Sequence, residues 1–323
     1  MKKYKYTVFC PYFGKLPNNF ELWLKSCSYN NDFKFIVFTN DTKNISIPKN
    51  VEMIKISFEN FKKMIQNKFD FKISLDNPYK LCDYKIAYGY LFSEYVKGSK
   101  YWGACDMDLI FGNIKKFIPD GDYDKISTKG HLTLFKNNKD INEAFMITNT
   151  SNVTYRDILS SNIHFASDEI GDYSINNILK KNGYKIYNFE DYVADISTKR
   201  INMRIAPIKN DKIYGKRVFA FENGKIICYE LLKDKIKQKE YAYIHFQKRK
   251  MTYNITNNDF EKFIITYKSF ENYNNIDKQL IKKYQPFFNI DNKIIKMKYN
   301  AFIKKIKRKK TIRIIGGKTK WKY

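Results

Sequence analysis

Tyr101-Trp102-Gly103-Ala104-Cys105-Asp106-Met107-Asp108-Leu109-Ile110-Phe111-Gly112 is the stretch on which the reading of this chain turns. Its apolar, aromatic-rich start reads as a buried strand. Two carboxylates then follow, spaced i, i+2. In extended chain that spacing puts both side chains on one face, and where a strand runs into a turn both can reach a single ligand. Carboxylates beside apolar surface are costly. A hard divalent cation, Mg²⁺ or Mn²⁺, offsets that cost, the more so if it also takes phosphate oxygens. A solvated turn is the plainer reading of an isolated Asp-x-Asp, so the surroundings have to decide.

Those surroundings alternate strand and helix. Tyr4 to Tyr12 is a short β-forming run stopped by Gly14 and Pro17, and Asn19 opens a helix through Phe20, Leu22, Trp23 and Cys27. Residues 33–39 are the clearest strand. Val51 to Phe58 reads as another, and Phe58 to Phe69 as an amphipathic helix. After Asn77-Pro78 the spacing of Leu81, Tyr84, Tyr88, Leu91, Phe92 and Tyr95 predicts a helix to Val96, ended by Gly98. The alternation predicts an α/β fold with a mainly parallel central sheet. Such sheets bind ligands beyond the carboxyl ends of their strands, where the loops after Tyr12, Thr39 and Cys105 gather. Further on, Gly130 to Asn137 begins as a strand, Ser174 to Lys181 is helical, and Arg217 to Tyr229 is a hairpin about Asn223-Gly224. No internal repeat and no Pro/Gly/Ser linker is visible.

Composition sets the outer limits. The 323 residues are 43% hydrophobic and 17% aromatic, enough for a packed core and against wholesale disorder. The net charge of +27 favours anionic partners. Thirteen Lys and Arg fall between Lys293 and Lys322, with no acidic residue after Asp291. There Ile295, Tyr299, Phe302, Ile303 and Ile306 make an apolar stripe, and the segment reads as a basic amphipathic helix for an anionic membrane surface. A solvated basic end is the alternative. Five cysteines without a CxxC pair read as buried free thiols in a reducing compartment. No run reaches the length of a spanning helix. The expectation is a cytoplasmic protein, peripheral at the inner face of the cell membrane.

Three further clusters join the Asp pair. His245 stands at the end of an aromatic strand and is followed by Gln247-Lys248-Arg249-Lys250. A neutral imidazole can complete a carboxylate metal site, and the cations can hold phosphate oxygens; a satisfied core histidine is the alternative. Lys80, Asp83 and Lys85 lie in an otherwise apolar helix. Lys80 and Asp83, at i and i+3, are either a helix salt bridge or part of a helix start that faces a nucleotide. Asp168-Glu169 precedes a helix and is read either as a pair of dipole partners or as a holder of sugar hydroxyls and a general base.

Taken together, Leu16-Pro17, Tyr79 to Lys85, Trp102 to Gly112, Gly130 to Asn137 and His245-Phe246-Gln247-Lys248-Arg249 resemble the bacterial GT-A glycosyltransferases of capsule and lipopolysaccharide gene clusters, over roughly residues 4–250. The resemblance implies a GT-A (Rossmann-like) nucleotide-sugar-binding domain over 1–250, and a helical region over 251–323 that ends in the basic tail. It implies a transferase that moves a sugar, a hexose by expectation, from a nucleotide-diphosphate sugar to a growing surface polysaccharide or other glycan or polyprenyl-linked acceptor. Mn²⁺ or Mg²⁺ is then held by Asp108 and His245, with Asp106 shared between metal and ribose. Tyr12, Lys80, Asp83, Lys85, Lys248 and Arg249 are expected along the nucleotide. Asp168-Glu169, with the Ile175-Asn176 that follows, is similar to the Asp-Gln motif that contacts the donor sugar, Glu replacing Gln. Asp168, Glu169 and His131 are the candidate bases should the enzyme invert; a retaining enzyme needs none, and the sequence leaves the stereochemistry open. A nucleic-acid-binding protein is the competing reading of the charge, set against the scarcity of Arg and the absence of a nucleic-acid signature. A two-metal nuclease or phosphatase would need more ligands nearby.

Overall fold

The computed structural model describes residues 3–41, 44–198, 201–207, 216–247, 249–256 and 260–286, together with Asn300 and Ile303. Apart from Asn300 and Ile303, the expected basic tail lies outside the described residues, as does Lys248. The fold is mixed α/β, with three sheets among the described residues. Its strands are β1 (Tyr6–Phe9), β2 (Phe33–Thr39), β3 (Val51–Lys55), β4 (Tyr101–Cys105), β5 (Leu109–Phe111), β6 (Lys125–Ile126), β7 (Leu132–Lys136), β8 (Ile186–Tyr187), β9 (Val193–Asp195), β10 (Lys216–Glu222), β11 (Lys225–Leu232), β12 (Lys235–Tyr241), β13 (Tyr243–His245), β14 (Thr252–Asn254), β15 (Lys262–Ile265) and β16 (Ser269–Glu271).

The central sheet has the order β3-β2-β1-β4-β7-β6-β8. The first four strands are parallel, β7 runs antiparallel to both β4 and β6, and β8 is parallel to β6. Both faces are covered, which is why β2 is apolar at nearly every position instead of alternating. Phe33, Phe35 and Val37 pack on one side with Tyr6, Val8 and Trp23, whereas Ile36 and Phe38 pack on the other with Phe9, Phe61 and Trp102. The helix Phe20–Ser28 covers the first side through Phe20, Trp23, Leu24 and Cys27. The helix Phe58–Gln66 covers the second through Phe61 and Ile65, its start capped by the Ser57 hydroxyl accepting from the Asn60 amide. Burial of those two side chains contributes about 2 kcal/mol each.

The expected helix over 79–96 is instead a 3₁₀ segment Pro78–Ala87, one α-turn Tyr88–Leu91 and a second 3₁₀ turn Ser93–Val96. The reason is burial on all sides: Lys80, Leu81, Asp83, Tyr84, Lys85, Ile86 and Ala87 are all buried, so no single helical stripe faces the core. A 3₁₀ turn eclipses positions i and i+3, which sets Lys80 directly over Asp83.

A three-stranded sheet, β5-β13-β9, begins where the Asp pair ends. β13 is antiparallel to β5 and parallel to β9, and in this register His245 stands opposite both Leu109 and Asp195. A six-stranded sheet, β12-β11-β10-β15-β16-β14, carries the second half. Its β10–β11 hairpin turns at Asn223-Gly224 with positive φ at both residues, as that dipeptide predicts. Strands on both sides of residue 250 share this sheet, and in the region expected to be helical the described residues hold the strands β14, β15 and β16 as well as the helix Lys278–Lys283.

Candidate metal and donor site

At the carboxyl ends of β1 and β4 a cavity of about 1130 Å³ opens, lined among others by Tyr12, Asn19, Tyr79, Lys85, Asp106, Asp108, Lys129, His131, Asp168, Glu169, Asp195, His245 and Arg249. β4 ends at Cys105, so Asp106-Met107-Asp108 forms the turn into β5. The Asp106 amide donates to the His131 carbonyl (3.0 Å) and the Asp108 carbonyl accepts from the Phe246 amide (3.0 Å). Both ends of the turn are thus pinned, while Met107 packs in the core. One ligand atom each from Asp106, Asp108 and His245 lie within 4.8 Å of one another.

His245 is gripped from both ring nitrogens. Nδ1 lies 2.8 Å from Asp195 Oδ1, and Nε2 lies 3.4 Å from Asp108 Oδ1. Burial disfavours its charge, yet the hydrogen bonds to Asp108 and Asp195 and the charge of Asp106 outweigh it and raise the imidazole to about 10. Asp195, also held by the Gln247 amide at 2.6 Å, is lowered in spite of burial by His245 and its other donors. A carboxylate on one nitrogen that leaves the other aimed at two more carboxylates is the usual orienting arrangement of a metal-binding histidine. The donor set, carboxylate oxygens and one imidazole, fits Mn²⁺ or Mg²⁺. The sequence reading missed Asp195. Its signal is a short apolar strand, Val193-Ala194, closing on a carboxylate, the same pattern that marks Asp106.

Lys85 is the second organiser. Its Nζ lies 2.6 Å from Asp106 Oδ1, 2.8 Å from the Gly130 carbonyl and 3.8 Å from Asp168 Oδ2. Burial opposes its charge, but Asp106 and Asp168 hold it well above the ordinary lysine value. Asp106 is thereby shared with an ammonium, which separates its role from that of Asp108. Burial raises Asp168 to about 6, with Lys85 opposing and Glu169 and Asp106 adding to the rise. Glu169 Oε1 accepts the Gly130 amide at 2.7 Å. Gly130 is required by close approach, since a Cβ there would overlap Asp168 Oδ2. Asn176 donates to the carbonyls of Thr128 and Glu169 and accepts from Lys125, tying this loop to the helix Ile175–Lys181.

Three expectations change. Lys80 and Asp83 do not line the cavity; they are 2% and 0% exposed and pair at 2.8 Å. Lys80 also donates to the carbonyls of Ile158 and Ile163, while Asp83 accepts the amides of Phe165 and Ser167. The pair therefore builds the loop that carries Asp168 and is not a nucleotide contact. Arg249 sits at the cavity wall, but its guanidinium donates to the carbonyls of Ile201, Tyr267 and Ser197. It fastens loops where a free phosphate-binding cation was expected. His131 is buried and stacked on His245 at 4.4 Å, with Nδ1 2.8 Å from the Tyr243 hydroxyl. Burial and the neighbouring His245 hold it far below the ordinary histidine value, which makes it a weak base and a packing support for His245. Tyr12 stands at the cavity, its amide held by the Phe38 carbonyl at 2.8 Å.

Fold and site together define an α/β protein with a carboxylate–histidine centre at the edge of its parallel strands. The chain belongs to a family of unknown function, DUF6625, whose model matches residues 8–274. Among solved structures, it is similar to a glycosyltransferase involved in the glycosylation of the major capsid of PBCV-1, at 8% identity and a TM-score of 0.35, over 75% of this chain and 94% of that one. No curated protein matches it. Among the described residues no helix is long and apolar enough to cross a membrane.

Proposed function

We propose that this chain is a metal-dependent glycosyltransferase of the GT-A kind, which moves a sugar from a nucleotide-diphosphate sugar to a glycan or polyprenyl-linked acceptor. The observation that carries the reading is the convergence of Asp106, Asp108 and His245 within 4.8 Å at the carboxyl edge of parallel strands. His245 is oriented there by Asp195, beside a cavity large enough for a nucleotide sugar.

Asp108 and His245 would hold Mn²⁺ or Mg²⁺, and the bound ion supplies charge neutralisation for a departing diphosphate. The chain's own residues do the rest. Asp195 holds the proton of His245 on Nδ1, so that Nε2, once its own proton is lost, would present its lone pair. Lys85 shares Asp106 and Asp168, placing one positive charge between the metal side and the sugar side of the cavity. Glu169, anchored on the Gly130 amide, sets the loop against the donor sugar. In transfer the bond from the sugar's anomeric carbon to the phosphate oxygen breaks and a bond to the acceptor oxygen forms. Asp168, whose proton affinity is raised, takes the acceptor's proton. The basic residues 293–322 support a docking of the same enzyme on an anionic surface.

Incubation of the purified protein with a set of nucleotide sugars, with Mn²⁺, with Mg²⁺ and with chelator, tests this. Metal-dependent release of the nucleoside diphosphate, lost in Asp108→Asn, is expected. Release of no donor with either ion, or release unaffected by Asp108→Asn, contradicts it.

A further inference from the structure

Four large hydrophobic side chains are conspicuously exposed among the described residues: Ile47, Tyr79, Ile163 and Ile170. Three of the four belong to two segments that flank the Asp168-Glu169 pair. Tyr79 is 51% exposed, lines the cavity, and lies with its ring 5.0 Å from that of His164. Ile163 precedes His164, and Ile170 follows Glu169. Exposed apolar side chains scattered singly need no explanation, but an exposed aromatic ring in the lining of a polar cavity does.

This part of the lining is also held in place. The buried Lys80–Asp83 pair joins the two segments, with Lys80 on the Ile163 carbonyl (2.6 Å) and Asp83 on the Phe165 and Ser167 amides (2.9 and 3.2 Å). The Lys80 ammonium lies 5.2 Å over the Phe165 ring, and the Tyr173 hydroxyl donates to the Phe165 carbonyl at 3.1 Å. A buried ion pair is thus committed to fixing the position of a wall that exposes an aromatic ring.

On the reading given above, the metal side of the cavity, at Asp108 and His245, takes the diphosphate. We infer that the Tyr79–His164 wall is the acceptor subsite, and that it takes a saccharide ring. The chemistry of the wall matches both aspects of a pyranose. An exposed aromatic face suits the apolar C–H face of the ring. Lys129, which lines the same cavity, suits its hydroxyl edge. An alkyl chain would need a continuous apolar track, whereas here Tyr79 shares the lining with His164, Asp168 and Glu169. Asp168, the group proposed to take the acceptor's proton, lines the same cavity as Tyr79.

The test separates this subsite from the donor site. Methyl glycosides of the common hexoses and N-acetylhexosamines are the probes, followed by saturation-transfer NMR on the full chain. Binding of at least one pyranoside is expected, with saturation concentrated on the C–H protons of one ring face. Tyr79→Ala should weaken it about tenfold, as loss of an aromatic face implies. Tyr79→Phe should retain it, and Asp108→Asn should leave it unchanged. Nucleoside diphosphate binding with Mn²⁺, measured on the same Tyr79→Ala protein, reports on folding and on the donor reading, and should stay at the wild-type value. Failure of every pyranoside to bind, or binding that survives Tyr79→Ala intact, overturns the acceptor assignment while leaving the donor reading standing. Failure of nucleotide binding in the wild type overturns the donor reading instead.

Discussion

Metal binding to this protein should be driven by pH through one proton on His245. In the metal-free site the imidazole is held at about 10, so at neutral pH it is a cation donating Nδ1–H to Asp195 and Nε2–H toward Asp108. A metal ion needs the Nε2 lone pair, and Nε2–H must be lost first. Below that raised value each unit of pH costs a factor of about ten in affinity, or about 1.4 kcal/mol. Raising the pH from 6 to 8 should therefore tighten Mn²⁺ about a hundredfold, with one proton released per ion. Calorimetry in buffers of different ionisation enthalpy counts that proton directly, and the electron paramagnetic resonance of free Mn²⁺ gives the affinity. Asp195→Asn removes one of the two carboxylates that stabilise the imidazolium, so the pH profile should flatten and shift downward. The sign for folding is opposite to that for metal. The imidazolium stabilises the metal-free fold fully below the ordinary histidine value, and this contribution is lost as pH rises toward 10. An Mn²⁺ affinity that does not change with pH, or binding without proton release, would refute the assignment of His245 as a ligand.

Other consequences follow from the same geometry. Asp83→Ala leaves Lys80 charged and buried and frees two loop amides; a loss of about 3–5 kcal/mol in denaturant unfolding is expected, and a surface-like loss below about 0.5 kcal/mol would show the pair to be unimportant. Gly130→Ala drives a methyl group into Asp168, so transfer should fall while Mn²⁺ affinity holds; equal losses in both would disprove the separation of the two sides. Asp168 sits at about 6 because burial disfavours its charge, so a base in this position gives a transfer rate that climbs through pH 6 as the carboxylate forms, and Asp168→Asn should abolish that inflection. Lys85→Met removes the cation between Asp106 and Asp168; donor turnover should collapse, and Asp168 should be pushed higher still, visible as an upward shift of any residual pH profile.

The sequence was most legible where chemistry and strand ends coincide. Asp106, Asp108 and His245 were each readable as groups that close an apolar run, and the register of β5 with β13 joins them across more than a hundred residues. Asp195 escaped because β9 is three residues long and its pairing with β13 is a tertiary fact that no local pattern announces. The segment 78–96 misled for a different reason. Its apolar residues are spaced as in an α-helix, but burial on every side removes the stripe that such spacing normally reports, and the chain takes tighter turns. Lys80 and Asp83 could be seen as an i, i+3 pair, yet their service to a loop some eighty residues away is set by packing. Arg249 shows the same limit in reverse: a cation after a strand end looks available for phosphate until the carbonyls of Ser197, Ile201 and Tyr267 are found around it. The second half was least legible, since edge strands such as β12 alternate Lys with little else and carry no strong hydrophobic period.

The most direct test of the central claim is calorimetric titration of nucleoside diphosphates into the wild-type chain and into Asp108→Asn, each with and without Mn²⁺. The account predicts one site for at least one nucleoside diphosphate, dependent on the metal and lost in Asp108→Asn. Binding of equal strength without metal, or retained in the variant, would contradict it.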